Sequence, residues 1–319
     1  LPGNYIGSAP DAQYWLYITE NVYGESLLEE YNWLVAAEHA DSIGVDIINS
    51  SLAYTTFDDT TKNHTYNQLD GKTAVVSKAA AIAAKKGIIV VSSAGNYAQQ
   101  PWGKIGFPAD ADSILTVGAI KPDSSYTDFS SYGYTTDGRI KPDVVATGDN
   151  IYVVAATDDI ISGRGTSFSS PLIAGAVACL WQFADNKTNV EIIDAIKQSS
   201  HNYNSPDSLI GYGIPDFYHA MILCNNNLNH EHLNLNLVSL YPNPTSSNIL
   251  VEYTCESDAP VEISIFDITG NKVFEKMESA QKNKINKYQL EINNIAKGVY
   301  FLRIKDTSSK SVFQSFVKH

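Results

Sequence analysis

A serine at the start of a helix and an asparagine at the end of a buried strand are the two side chains in this sequence best suited to carbonyl chemistry. The serine is Ser167, in Gly163-Arg164-Gly165-Thr166-Ser167-Phe168-Ser169-Ser170-Pro171, which leads into the small-residue stretch 172–178. Glycines permit a tight turn there, and the pattern predicts a helix over 170–183 with Pro171 in its first turn. Ser167 is then left at the helix N-terminus, where free N–H groups and the positive dipole end stabilise the anion formed when its oxygen attacks a carbonyl. The same placement suits a plain N-cap. The asparagine, Asn96, follows the apolar run 88–93 through Ala94-Gly95. Sites in open parallel sheets gather past the strands' C-terminal ends, and an uncharged amide NH2 can bind a developing oxyanion. A Gly-Asn pair is also a common turn, so neither segment fixes its role alone.

Bringing two such distant segments together requires a scaffold. Apolar runs at 45–51, 88–93, 114–119 and 151–155 alternate with helical patterns at 74–86 and 170–183. That alternation predicts an α/β unit, a parallel sheet with helices on both faces. Residues 45–48 and 88–91 are β-branched and nearly unbroken, as central strands buried on both faces must be. Residues 33–40 read as helix. The texture changes at the Asn-rich stretch 225–236, which reads as a linker. Beyond it, strand-like runs at 237–241, 249–253, 261–266, 272–276, 288–292, 299–304 and 312–317 are separated by turns such as Thr269-Gly270-Asn271 and Lys297-Gly298. Strands at this spacing, alternating as in Val261-Glu262-Ile263-Ser264-Ile265, predict an all-β, immunoglobulin-like sandwich. The organisation is therefore 1–224, a linker at 225–236, and 237–319, the last without a catalytic cluster.

Composition narrows the function classes. With 319 residues, 44% hydrophobic and 18% charged, the chain can bury real cores. A net charge of −13 repels phosphate backbones and argues against a nucleic-acid partner. The longest nearly uninterrupted apolar run, 172–181, is about half the ~20 residues that a membrane-spanning helix needs. Cys179, Cys224 and Cys255 form no CxxC pair and leave the redox compartment open. The methionines are Met221 and Met277, and the chain opens at Leu1 with no signal-like segment, so a processed chain or a fragment is expected.

Taken together, the motifs resemble the subtilisin-like serine proteases. Gly165-Thr166-Ser167-Phe168-Ser169-Ser170-Pro171 is similar to that family's nucleophile motif, and Ser92-Ser93-Ala94-Gly95-Asn96 to its oxyanion-hole motif. Asn49-Ser50-Ser51-Leu52-Ala53 is similar to its substrate-pairing strand, while 129–133 and 138–144 match a structural stretch, all in family order over 5–222. The resemblance implies a secreted serine endopeptidase that hydrolyses peptide bonds in protein or peptide substrates through an acyl-enzyme. It makes Ser167 the nucleophile, Asn96 and the Ser167 backbone N–H the oxyanion donors, and Thr166 their support. Ser51, Leu52 and Ala53 with Ser93, Ala94 and Gly95 would flank the P1 pocket and grip the peptide as an added strand.

There are departures from the family pattern. Ala53 stands where the family usually has glycine and Phe168 where it has methionine, both narrowing specificity. The family's Asp and His motifs are absent, and none of His39, His64, His201, His219, His230, His232 and His319 precedes a glycine. Gly7-Ser8-Ala9-Pro10-Asp11-Ala12 and Tyr14-Trp15-Leu16-Tyr17 resemble the segment just after the catalytic histidine's helix. The resemblance thus implies an N-terminally truncated chain without the catalytic Asp and His, nearly inactive alone, from an active parent. A catalytically inactive surface binding protein is the alternative. An esterase using the same serine lacks the Gly-x-Ser-x-Gly elbow.

The C-terminal stretch has a resemblance of its own. Leu240-Tyr241-Pro242-Asn243-Pro244, Ile265-Phe266-Asp267-Ile268-Thr269-Gly270 and Lys297-Gly298-Val299-Tyr300-Phe301-Leu302 are similar to the type A sorting domain of type IX secretion. That implies the type IX machinery as partner and a secreted or cell-surface protein, with substrate or glycan adhesion as the competing role. No cofactor is implied except calcium, which secreted family members use. Asp58, Asp59 and Asp70 offer carboxylates for it, but no EF-hand spacing supports a site and a solvated acidic loop is the better reading.

Overall fold

The structure, a computed structural model, describes residues 6–224, 236–255, 258–267, 270–282, 284–306 and 311–319. The chain divides into two units, Leu1–Asn227 and Leu228–His319. Residues 225–235 of the expected linker lie outside the described residues, and Asn236 already opens a strand.

In the first unit, α1 (Leu28–Ser42), β1 (Ile47–Ser50), α2 (Val75–Lys85), β2 (Ile89–Ser93) and β3 (Leu115–Ile120) are followed by β4 (Gly133–Tyr134) and β5 (Ile140–Lys141). Next come β6 (Val144–Thr147), β7 (Asp149–Val154), β8 (Ile160–Arg164), α3 (Thr166–Phe183), α4 (Asn189–Ser199) and α5 (Phe217–Cys224). The strands β1-β2-β3-β6 form one parallel sheet in that order. Strand alternation in β2 feeds two cores. Val90 joins Trp33, Ala80 and Phe107 under α1 and α2, while Ile89 and Val91 join Val117, Val177 and Ile192 under α3 and α4. The predicted three-layer α/β arrangement is present.

Two strand assignments differ from expectation. The run at 45–51 forms β1, the outermost strand of the sheet and only partly buried, whereas β2 is buried at every position. Residues 151–155 do not join the parallel sheet. They belong to β7, which pairs antiparallel with β8 and exposes Tyr152 and Val154. The fourth parallel strand is β6, whose Val144 and Val145 are both fully buried, as a two-sided strand requires.

A buried ionic cluster ties β6 to α4. Lys141 Nζ lies 2.6 Å from Asp143 Oδ2 and Lys197 Nζ 2.8 Å from Oδ1, while the Thr116 N–H donates to Oδ2 at 2.8 Å. Burial alone would raise the Asp143 carboxyl, but the two ammonium groups hold it down at about 2. A depressed carboxyl gives stability that is present above its unfolded value of about 3.9 and is lost as pH falls through the folded one. Asp143→Asn is expected to cost about 3–5 kcal/mol, because it strands the buried Lys141 ammonium and the half-buried one of Lys197. Thermal unfolding checks this: the parent's midpoint should drop between about pH 4 and pH 2, and the variant's should drop less over the same window.

The second unit contains β9 (Asn236–Tyr241), β10 (Asn248–Thr254), β11 (Pro260–Asp267), β12 (Lys272–Ser279), β13 (Asn286–Glu291), β14 (Gly298–Lys305) and β15 (Ser311–Lys318). They match the expected strands one for one. All pairings are antiparallel, in one sheet ordered β13-β10-β9 and another ordered β12-β11-β14-β15. Ile249, Val251 and Leu290 of the first sheet share a core with Ile263, Leu302 and Phe316 of the second. Gly270 of the expected turn has φ +83° and its N–H donates to Asp267 O, while Ile268 and Thr269 lie outside the described residues.

Candidate active site

The site forms where the chain leaves β2 and enters α3. After the buried Ser92 and Ser93, the Ala94 N–H still bonds to Val117 O at 2.9 Å. Gly95 then turns the chain at φ +102°, a region that favours glycine. Its N–H donates to Thr166 Oγ1 at 3.2 Å. Asn96 follows, exposed, and its Oδ1 accepts both the Thr166 N–H at 2.9 Å and the Thr166 hydroxyl at 3.0 Å. Because both donors demand an acceptor, the amide's orientation is fixed and its NH2 is left without a partner among the described residues. Thr166, fully buried, is the joint between the two segments.

Ser167 is the second residue of α3, beside that joint. The helix starts at Thr166 rather than 170, so Pro171 is the sixth helical residue and not part of the first turn. Proline has no N–H to give the carbonyl four residues earlier, which is that of Ser167. That carbonyl instead accepts the Ser51 hydroxyl at 3.0 Å, and the Ser167 hydroxyl donates to Ser51 O at 3.3 Å. The N-cap is Gly165, and the first helical N–H is met from outside by Asn96, so Ser167 does not serve as a cap. Its own N–H sits in the first turn, where no intrahelical carbonyl reaches.

Ser51, Leu52 and Ala53 continue from β1 alongside this joint, and Ser170 Oγ ties α3 to Asn49 Oδ1 at 2.8 Å. Ser93, Ala94 and Gly95 meet the same segment through Tyr97 and Gly106. These two connecting residues went unread in the sequence. Gly106, whose N–H bonds to Ala94 O at 3.0 Å, and Tyr97, whose hydroxyl donates to Ala53 O at 2.5 Å, sit in no recognisable motif. Phe168 lays its ring against Gly163.

None of the described histidines bonds to Ser167. His39 Nδ1 meets the Tyr17 hydroxyl at 2.8 Å, His64 Nε2 meets the buried Glu30 at 2.5 Å, and His201 Nδ1 accepts the Ile214 N–H at 2.8 Å. His230 and His232 lie outside the described residues. A groove of about 440 Å³ opens beside Ser51, between 15–20 on one wall and 48–52 on the other, with Trp33 and Ala37 in its lining. Leu16 and Ile18, on its rim, are 91% and 97% exposed.

The carboxylates of the acidic loop are engaged by their own turns. Asp59 accepts from Thr61, Asp70 from the N–H groups of Lys72 and Thr73, and both carboxyls are held low. Among the described residues, the carboxylates that converge are those of Glu20, Glu25 and Glu29 instead. Glu29 already accepts the Asn21 and Ser26 N–H groups, and Glu20 accepts the Tyr54 hydroxyl. Burial, then the charges of Glu29 and Glu20, push the Glu25 carboxyl up.

Residues 3–213 match the model of the subtilase peptidase family. The chain belongs to the subtilase family. It is 30% identical to subtilisin DY of Bacillus licheniformis over 177 residues, covering 55% of this chain and 56% of that one. It is 29% identical to subtilisin E of Bacillus subtilis over 200 residues, covering 61% and 45%. Among solved structures, the prenylagaramide maturation protease PagA is similar with a TM-score of 0.49 at 23% identity, covering 62% of this chain and 68% of that one. The subtilase chain thus spans about half the length of the curated relatives it matches. Residues 239–319 match a secretion system C-terminal sorting domain, which marks the protein as secreted or displayed at the cell surface. Among the described residues, no helix is long and apolar enough to cross a membrane.

Proposed function

We propose that this chain carries the nucleophile and oxyanion hole of a secreted serine endopeptidase. Ser167 attacks the peptide carbonyl to form the acyl-enzyme, and the Asn96 NH2 and Ser167 N–H bind the tetrahedral oxyanion. Thr166 positions both groups, while Ser51, Leu52 and Ala53 with Ser93, Ala94 and Gly95 hold the substrate. The observation that carries the reading is the bond from Thr166 N–H to Asn96 Oδ1, which sets the carboxamide beside the serine. The Ser167 proton needs an acceptor stronger than the Ser51 carbonyl. We assign the catalytic Asp and His to polypeptide of the natural protein outside these 319 residues. Residues 1–224 are the peptidase part, 225–236 a linker and 237–319 the sorting domain, addressed to the type IX machinery. Its sheet orders, with strands one, two and five facing strands four, three, six and seven, support an immunoglobulin-like sandwich.

A fluorophosphonate probe tests the reading in cells. The natural full-length protein should be labelled at Ser167 and recovered from the medium or cell surface, and the isolated 319-residue chain should resist the probe. A version ending at residue 236 should keep its labelling but stay inside the cell. Absent labelling of the full-length protein would favour a binding protein. Normal export of the shortened one, with weaker substrate retention, would favour an adhesive module.

A further inference from the structure

On the peptidase reading the P1 side chain would enter between 51–53 and 93–95, and Tyr97 makes contact with both segments. We propose that Tyr97 closes that entry and restricts cleavage to bonds that follow glycine, alanine or serine, an inference that rests on the peptidase reading above. The walls are 51–53 and 93–95, and Gly106 spans the end between them through its N–H bond to Ala94 O. The Tyr97 ring packs against Gly95 and Gly106. A Cβ built on Gly95 would come within 2.9 Å of ring atoms Cδ2 and Cε2, and one built on Gly106 within 3.1 Å of Cε2. The 51–53 segment holds the ring's far end, because the hydroxyl donates to Ala53 O.

The ring is pinned at its near end too. The Tyr97 N–H donates to Ser131 Oγ at 2.9 Å, and the Ser131 N–H bonds back to Gly95 O at 2.9 Å. Ala53 adds a second obstruction from another segment, its methyl 2.8 Å from the same Cβ position on Gly106. Burial pushes the Tyr97 hydroxyl pKa up, so it stays a neutral donor to the Ala53 carbonyl. A large P1 side chain would have to displace the ring and break that half-buried bond, whereas hydrogen, methyl or hydroxymethyl would not. Discrimination by packing in such pockets runs to about 10–200-fold per methylene-sized change.

The test is the P1 profile of kcat/KM for the natural full-length protein on peptides that differ only at P1, with Ser167→Ala as the blank. The parent should prefer alanine over phenylalanine or leucine at P1 by at least tenfold. Tyr97→Ala should raise kcat/KM for the large residues at least tenfold relative to alanine, and Ala53→Gly should shift the profile the same way from the opposite wall. The second variant keeps the question answerable if the first does not fold. A parent that cuts after large residues, or a profile unmoved in both variants, would overturn the assignment. Turnover by the parent no higher than the Ser167→Ala blank would instead overturn the peptidase reading itself.

Discussion

Ser167→Ala in the natural full-length protein is expected to lower kcat by roughly 10⁶, the size of the loss known for serine removal in a subtilisin. Without the hydroxyl there is no acyl-enzyme, and the catalysis that remains comes from the oxyanion donors and substrate binding alone. KM should hold, since the serine side chain makes no bond to the pocket walls other than one at 3.3 Å to Ser51 O. The fold should hold as well, because the reciprocal bond from Ser51 uses the backbone carbonyl of residue 167, which alanine keeps. Steady-state kinetics on a peptide amide, with thermal unfolding alongside, checks all three. Activity within tenfold of the parent would remove Ser167 from the nucleophile's role.

The proposed reading gives Asn96 a separate function at each end of its amide, and two substitutions separate them. Asn96→Ala should reduce kcat by about 10²–10³, the range known for loss of the equivalent donor in subtilisin. It should also cost about 1 kcal/mol of stability, because Oδ1 caps the Thr166 N–H at the start of α3. Asn96→Asp keeps an oxygen for that cap but replaces the NH2 donor with negative charge beside the developing oxyanion. It should unfold near the parent's midpoint yet be at least as slow as the alanine variant. A slow Asn96→Ala with a fast Asn96→Asp would mean that the residue acts only on the helix.

Much of the site was legible because its chemistry sits in contiguous motifs. Ser167, Thr166 and Asn96 fall within short segments whose glycines and small residues announce tight turns, and the structure brings those segments together. The strands of the second unit were legible for a different reason: one face is in a core and one in water, so a period of two survives in the sequence. The failures were cases where neighbours decide. Residues 151–155 and β6 are both apolar, and only burial distinguishes the half-exposed hairpin from the true parallel strand. The 45–51 run reads as a two-sided strand, yet its outer edge borders a groove. Pro171 looked like a helix start, because sequence alone does not show that Ser51 would take the carbonyl it frees. Tyr97 and Gly106 contribute through shape between 51–53 and 93–95, and shape leaves no local pattern.

Pro171 has a consequence for the order in which the site assembles. By withholding one N–H it lets Ser167 and Ser51, 116 positions apart, clasp each other through two reciprocal bonds. That clasp joins the edge of the sheet to the start of α3, so it forms only where the two have docked. The setting of the Ser167 hydroxyl is therefore a tertiary product that neither segment holds alone.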